Sequence, residues 1–213
     1  MTRSGSFLAA LAFACAGLLP AAPRAQDAPV DRVPSAEEAP AVTGPQAVLH
    51  TSMGDITLEL YPQQAPRTVQ NFVEYARAGF YNGTIFHRVI PDMLVQAGAY
   101  TPDMQPKPTR APIPLETQNG LSNLRGTVAA ARAAAPESAT SQFFINVVDN
   151  PRFDFTSDES DYTRGYAVFA RVVDGMDVVD AIREVPTTAR EPLQRDVPVE
   201  PVTIERVELL DAE

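Results

Sequence analysis

Between Gly79 and Tyr100 the chain reads GFYNGTIFHRVIPDMLVQAGAY, and in it Arg88 interrupts a β-branched and aromatic run, Ile85, Phe86, Val89 and Ile90. A guanidinium keeps its charge at any accessible pH and carries five N–H donors. Fixed beside apolar groups, such a donor acts electrostatically on a neighbouring polar atom with little competition from water. The plain alternative is an arginine on the wet face of a half-buried strand. The next residues argue against it: after Pro91, the apolar Met93-Leu94-Val95 ends in Gln96, so a second strand brings an amide and bulky groups back to the arginine. Ser141-Gln142-Phe143-Phe144-Ile145-Asn146 repeats that chemistry further on. The two histidines, His50 and His87, invite a general-base mechanism, yet the chain has no HExxH or G-x-S-x-G and its one cysteine is Cys15. His87 reads as a packed strand histidine.

The elements that must position these residues are mostly strands. Ala47 to Thr51, a turn at Ser52 to Asp55, and Ile56, Leu58 and Leu60 alternating with polar residues predict a hairpin with one buried face. Val69, Phe72, Val73 and Ala76 recur at helical spacing until Gly79 ends the helix. Tyr81-Asn82-Gly83-Thr84 predicts a tight turn. The proline-rich stretch from Thr101 to Pro114 is a loop, and Gly126 to Ala129, Phe143 to Val148 and Tyr166 to Val173 read as strands. Asp149 to Gly165 is a polar, acidic surface loop. Val178, Val179, Ile182 and Val185 mark a second helix, with Asp177 and Asp180 early and Arg183 late. In the last strand the change of parity between Ile204 and Val207 predicts a bulge. The class is therefore mainly β: about eight strands and two helices fit a closed antiparallel barrel capped at both ends.

The strings FYNGTIFHRVIPDMLVQAG, NGLSNLRGTVAAAR and SATSQFFINVVDN together resemble a cyclophilin-type peptidyl-prolyl cis/trans isomerase of the bacterial kind, from about Ala47 to Leu210. The resemblance implies a closed eight-stranded β-barrel capped by two α-helices, and rotation about X-Pro bonds without metal or cofactor. It implies Arg88 as the catalytic donor and Met93, Leu94, Phe144 and Phe153 as the lining of a proline pocket. Gln96 and Gln142 would hold substrate backbone groups, Ala131 and Arg132 would flank the peptide path, and Tyr166 would bind beside them. It also implies that Ala130 to Thr140 is loop, although its alanines favour helix. Four positions depart from the family pattern: Met93 for Phe, Ala97 for the first of two glycines, Arg152 for an aromatic, and Tyr166 where some relatives have His. They bear on rate and ligand preference, cyclosporin sensitivity included. The rival readings are a non-catalytic module of the same fold that only binds proline-containing segments, and an unrelated β-barrel carrier; neither needs Arg88.

The first 25 residues differ in kind. Arg3, an apolar run from Phe7 to Leu19, and a small-residue stretch ending at Ala25 have the form of a cleaved signal peptide. The run is too short for the roughly 20 residues that span a bilayer. Lipid anchoring through Cys15 is the lesser alternative, because Phe13 spoils the small-residue context. Residues 26–46 hold Pro29, Pro34, Pro40 and Pro45 among alanines and acids and read as a disordered tether, leaving 47–213 as the isomerase domain. Without Arg3 and Arg24 the formal charge of −10 becomes −12, and the mature chain has no thiol. Nucleic acid is an improbable partner for that charge. A monomer with no membrane span, periplasmic or secreted and acting on proline-containing polypeptides, is the expectation.

Overall fold

The computed structural model describes residues 44–210, so the expected leader and nearly all of the expected tether lie outside the described residues. The strands are β1 (Gln46–Thr51), β2 (Gly54–Leu60), β3 (Thr84–Ile85), β4 (Arg88–Ile90), β5 (Leu94–Ala97) and β6 (Thr127–Ala130). They continue as β7 (Phe143–Asn146), β8 (Val168–Asp174), β9 (Thr187–Arg190), β10 (Leu193–Pro198) and β11 (Thr203–Leu210). Two helices, α1 (Pro66–Arg77) and α2 (Met176–Arg183), complete the set with a short 3-10 turn at Pro151–Phe153. Gln46 already pairs with Glu59 and Leu210, so the sheet begins one residue before the expected boundary.

Nine strands form one antiparallel, strongly curled sheet in the order β3-β11-β1-β2-β8-β6-β7-β5-β4, rather than the expected eight. Its two end strands, β3 and β4, are consecutive in the chain with Phe86 and His87 between them. Phe86 N–H donates to Val202 O at one end of the sheet and His87 N–H to Gln96 O at the other. A two-stranded hairpin, β9 and β10, forms a second sheet of its own. The bulge expected near Ile204 is present: the β1–β11 register shifts between the pairs His50↔Arg206 and Thr51↔Ile204.

Period-2 alternation puts Leu49, Ile56, Leu58, Val95, Val128, Phe143, Ile145 and Phe169 into the main core. Helix α1 adds Val69, Phe72, Tyr75 and Ala76 to it. Phe72 meets Tyr81, Phe143 and Phe169 with ring centroids 5.3, 5.8 and 5.5 Å apart. Ala65 precedes α1 and has no side chain to cap it; the Glu116 carboxylate does so from the long loop, accepting from Arg67 N, Thr68 N and Thr68 Oγ1 at 3.0, 2.8 and 2.7 Å. Gly175 at the start of α2 has φ +86°, and a Cβ there would stand 2.2 Å from Asp55 O. Only glycine lets α2 close on β2 this tightly. On β2 and β8, Glu59 and Arg171 form a buried cross-strand pair at 2.7 Å. Beside them, burial pushes the Tyr61 hydroxyl up to about 12.

Candidate active site

Strands β5, β7, β6 and β8 are apolar on both faces, and the second face makes the site. While Phe143 and Ile145 enter the main core, Phe144 points the other way to join Leu94, Ala129, Ala131 and Val168 in a second cluster, with Met93, Phe153 and Tyr166 packed at its edge. This explains why FFIN reads as a continuous apolar run rather than an alternating one. Register then sets the polar groups: Arg88 on β4 lies directly across from Gln96 on β5, and Gln96 across from Phe144 on β7.

A cavity of about 240 Å³ opens at this cluster. Its apolar wall is Met93, Leu94, Ala131, Phe144, Phe153 and Tyr166, and its polar rim is Arg88, Gln96 and Arg132. The Phe144, Phe153 and Tyr166 rings meet edge to face in all three combinations, with centroids 5.3 to 5.8 Å apart. That arrangement suits their quadrupoles and leaves a rigid, shaped wall. Gln142 does not line the cavity, but its Oε1 accepts from Gln96 Nε2 at 2.8 Å and so fixes the amide that does. The structure thus gathers nine of the ten residues that the sequence singles out around one cavity and sets the tenth in contact with them.

Three placements refine the expectations. The Arg132 guanidinium is engaged by the acidic loop, donating from Nε to Gly165 O at 2.8 Å and from Nη2 to Asp161 O at 2.5 Å, and it lies 5.1 Å over the Tyr166 ring. It braces the loop that carries Tyr166. Arg152 is exposed, its guanidinium 5.2 Å from the centroid of the Phe153 ring, while Phe153 itself faces the cavity. Ala97 sits in regular strand geometry opposite Phe143 and introduces no strain. The left-handed turn falls on Gly98, at φ +87°, where a Cβ would meet Ser141 O at 2.6 Å.

His87 is buried, its ring 5.0 Å from that of Tyr100. Burial holds its pKa down to about 4; bonds to Ile85 backbone and the Gln142 side chain oppose the shift only in part, and Arg88 adds to it. The imidazole is therefore neutral at physiological pH, as a packed histidine should be.

A buried polar network behind the cavity escaped the sequence reading. Asn123 donates from Nδ2 to Asp154 Oδ1, Phe153 O and Tyr166 O at 2.9, 3.1 and 3.3 Å. Asn150 donates from Nδ2 to Met93 O and Asn146 Oδ1, each at 2.9 Å, and Asn146 donates to Asn123 Oδ1 at 3.2 Å. Asn123 and Asn150, linked through Asn146, thereby tie down the backbone of three cavity-wall residues, Met93, Phe153 and Tyr166. The signal was an asparagine ending the otherwise apolar run FFIN, since a polar group there needs buried partners.

Comparison with known proteins gives the same outline. The profile of the family described as cyclophilin type peptidyl-prolyl cis-trans isomerase/CLD matches residues 47–209. The chain is 55% identical over 158 residues to "Peptidyl-prolyl cis-trans isomerase B" of Escherichia coli (strain K12), covering 74% of this chain and 95% of that protein. It is also 55% identical over 162 residues to "Peptidyl-prolyl cis-trans isomerase cyp18" of Streptomyces antibioticus, covering 76% and 96%. Among solved structures it is similar to a Cryptosporidium parvum cyclophilin type peptidyl-prolyl cis-trans isomerase, with a TM-score of 0.66 at 22% identity over 79% of this chain and 99% of that one.

Proposed function

The chain belongs to the cyclophilin-type peptidyl-prolyl cis-trans isomerases, enzymes that act on proline-containing polypeptides in protein folding, and from that premise we propose how its residues divide the work. The reaction breaks no σ bond; it rotates a partial double bond across a barrier of about 20 kcal/mol. Lowering that barrier means weakening amide resonance, which the twisted state does by returning the lone pair to the prolyl nitrogen. Arg88 donates to that nitrogen. Met93, Leu94, Phe144 and Phe153 hold the pyrrolidine ring and exclude water, which makes the donor count for more. Gln96, oriented by Gln142, holds a substrate carbonyl or N–H, while Ala131, Arg132 and Tyr166 border the peptide path.

The observation that carries this reading is Arg88 at the rim of an otherwise apolar cavity of about 240 Å³. A protease-coupled assay on an X-Pro peptide, with wild type and Arg88→Ala side by side, tests it.

Three further parts complete the proposal. The leader form of residues 1–25 supports export to the periplasm or medium, where the clients are exported chains still unfolded or flexible. The working form is a monomer. The seam Thr84–Ile90, which carries both end strands of the sheet, closes it into a barrel whose open ends α1 and α2 cap.

A further inference from the structure

The β9–β10 hairpin has no counterpart in the sequence reading, and it reaches the site. Asp196 on β10 brings Oδ2 to 3.8 Å from Arg88 Nε, with side chains 24% and 38% exposed. We propose that Asp196 is a positioning residue for Arg88: its carboxylate holds the guanidinium by the Nε edge and leaves both Nη groups for the substrate. The proposal rests on Arg88 as the catalytic donor.

The backbone around Asp196 is arranged for this contact. Asp196 has φ +66°, and among the described residues it shares positive φ outside glycine only with Met104. Side chains adopt that conformation reluctantly, aspartate less so than most. The pairing of the hairpin jumps from Leu193↔Arg190 to Val197↔Thr188, so Gln194, Arg195 and Asp196 together oppose Ala189 alone. A bulge of this kind re-aims a side chain.

The hairpin is pinned to the segment it serves. Val197 is fully buried against Ile85 and Met104, with Leu193 and Tyr100 packed on the same cluster, and Ile85 lies three residues before Arg88. Arg195, largely exposed, approaches the same Oδ2 at 3.5 Å from the solvent side. A half-exposed ion pair at this distance adds little to folding stability. Stability therefore does not account for a bulge and a left-handed aspartate, whereas orientation of the guanidinium does.

The test compares wild type, Asp196→Asn, Asp196→Gly and Asp196→Glu of the full chain, with Arg88→Ala alongside. Asparagine tolerates the left-handed backbone without the charge, and glycine removes the strain as well. Both should lower kcat on the order of tenfold, as a misplaced catalytic group does, with KM within about twofold and an unchanged melting temperature. The Nε–H resonance of Arg88 should shift and broaden in both, and Asp196→Glu should recover part of kcat. An unchanged kcat and Nε–H signal in Asp196→Asn, while Arg88→Ala is impaired, overturns the positioning role and leaves the reading of Arg88 intact. A fall in activity that tracks a fall in melting temperature also overturns it. If Arg88→Ala itself keeps activity, the reading of Arg88 fails first.

Discussion

At the scale of single residues, the proposal gives Arg88 the work and its neighbour His87 none. His87 is adjacent to Arg88, but burial between β3 and β4 keeps its pKa near 4 against an ordinary 6.5. The consequence for stability has a definite sign. Between those two values the unfolded chain binds a proton that the folded chain refuses, so stability drops as pH falls from about 6.5 to about 4. The loss approaches about 3 kcal/mol at the lower limit, and above pH 6.5 the residue contributes nothing. Asp180, held below its ordinary 3.8 mainly by its hydrogen bond from Arg125, loses its contribution only at lower pH and does not confuse the window. Denaturant midpoints at pH 7 and 4.5 should therefore differ far less in His87→Gln than in wild type; an equal drop in both chains argues against this assignment. Turnover should be nearly flat from about pH 6 to 9, since the proposed mechanism needs no general base and His87 is already neutral there.

At the scale of elements, the 3-10 turn Pro151–Phe153 decides which side chain reaches the cavity, turning Phe153 in and leaving Arg152 on its outer face. The family resemblance implies that relatives binding cyclosporin tightly offer an indole where Arg152 stands. An arginine there has donors but a smaller apolar face and a charge that must stay hydrated, so an apolar macrocycle gains little by covering it. Cyclosporin should inhibit the wild type weakly in a titration of isomerase activity, and Arg152→Trp should bind it more tightly with turnover retained. Nanomolar inhibition of the wild type would refute this account of the turn. Strong alternation and long matches made β1, β2, α1 and the Arg88–Gln96 pairing legible, because each is specified by local periodicity. The β9–β10 hairpin was not legible: TTAR and LQRDVP are mostly exposed, carry no alternation, and are held by Val197 through contacts distant in sequence. Nor was the cap of α1, since Glu116 lies 48 residues from Thr68.

At the scale of the whole molecule, the sheet spends its two faces on two tasks. One face fills the main core, and the other, over β5 to β8, forms the cavity, so the wall of the site is built on the strands that also carry the core. No described helix is long and apolar enough to cross a membrane. The proposed export through residues 1–25 makes its own prediction: protein recovered from its native host should show, by intact mass, a chain lacking that leader. A full-length mass in the soluble cytosol would contradict export. The central claim concerns catalysis, and the protease-coupled assay reaches it most directly. Arg88→Ala is predicted to lower kcat/KM on an X-Pro peptide by on the order of 10² or more, the loss expected of a preorganised donor, with a melting temperature near wild type. Activity within a few-fold of wild type in a folded Arg88→Ala would contradict the mechanism, whatever the fold.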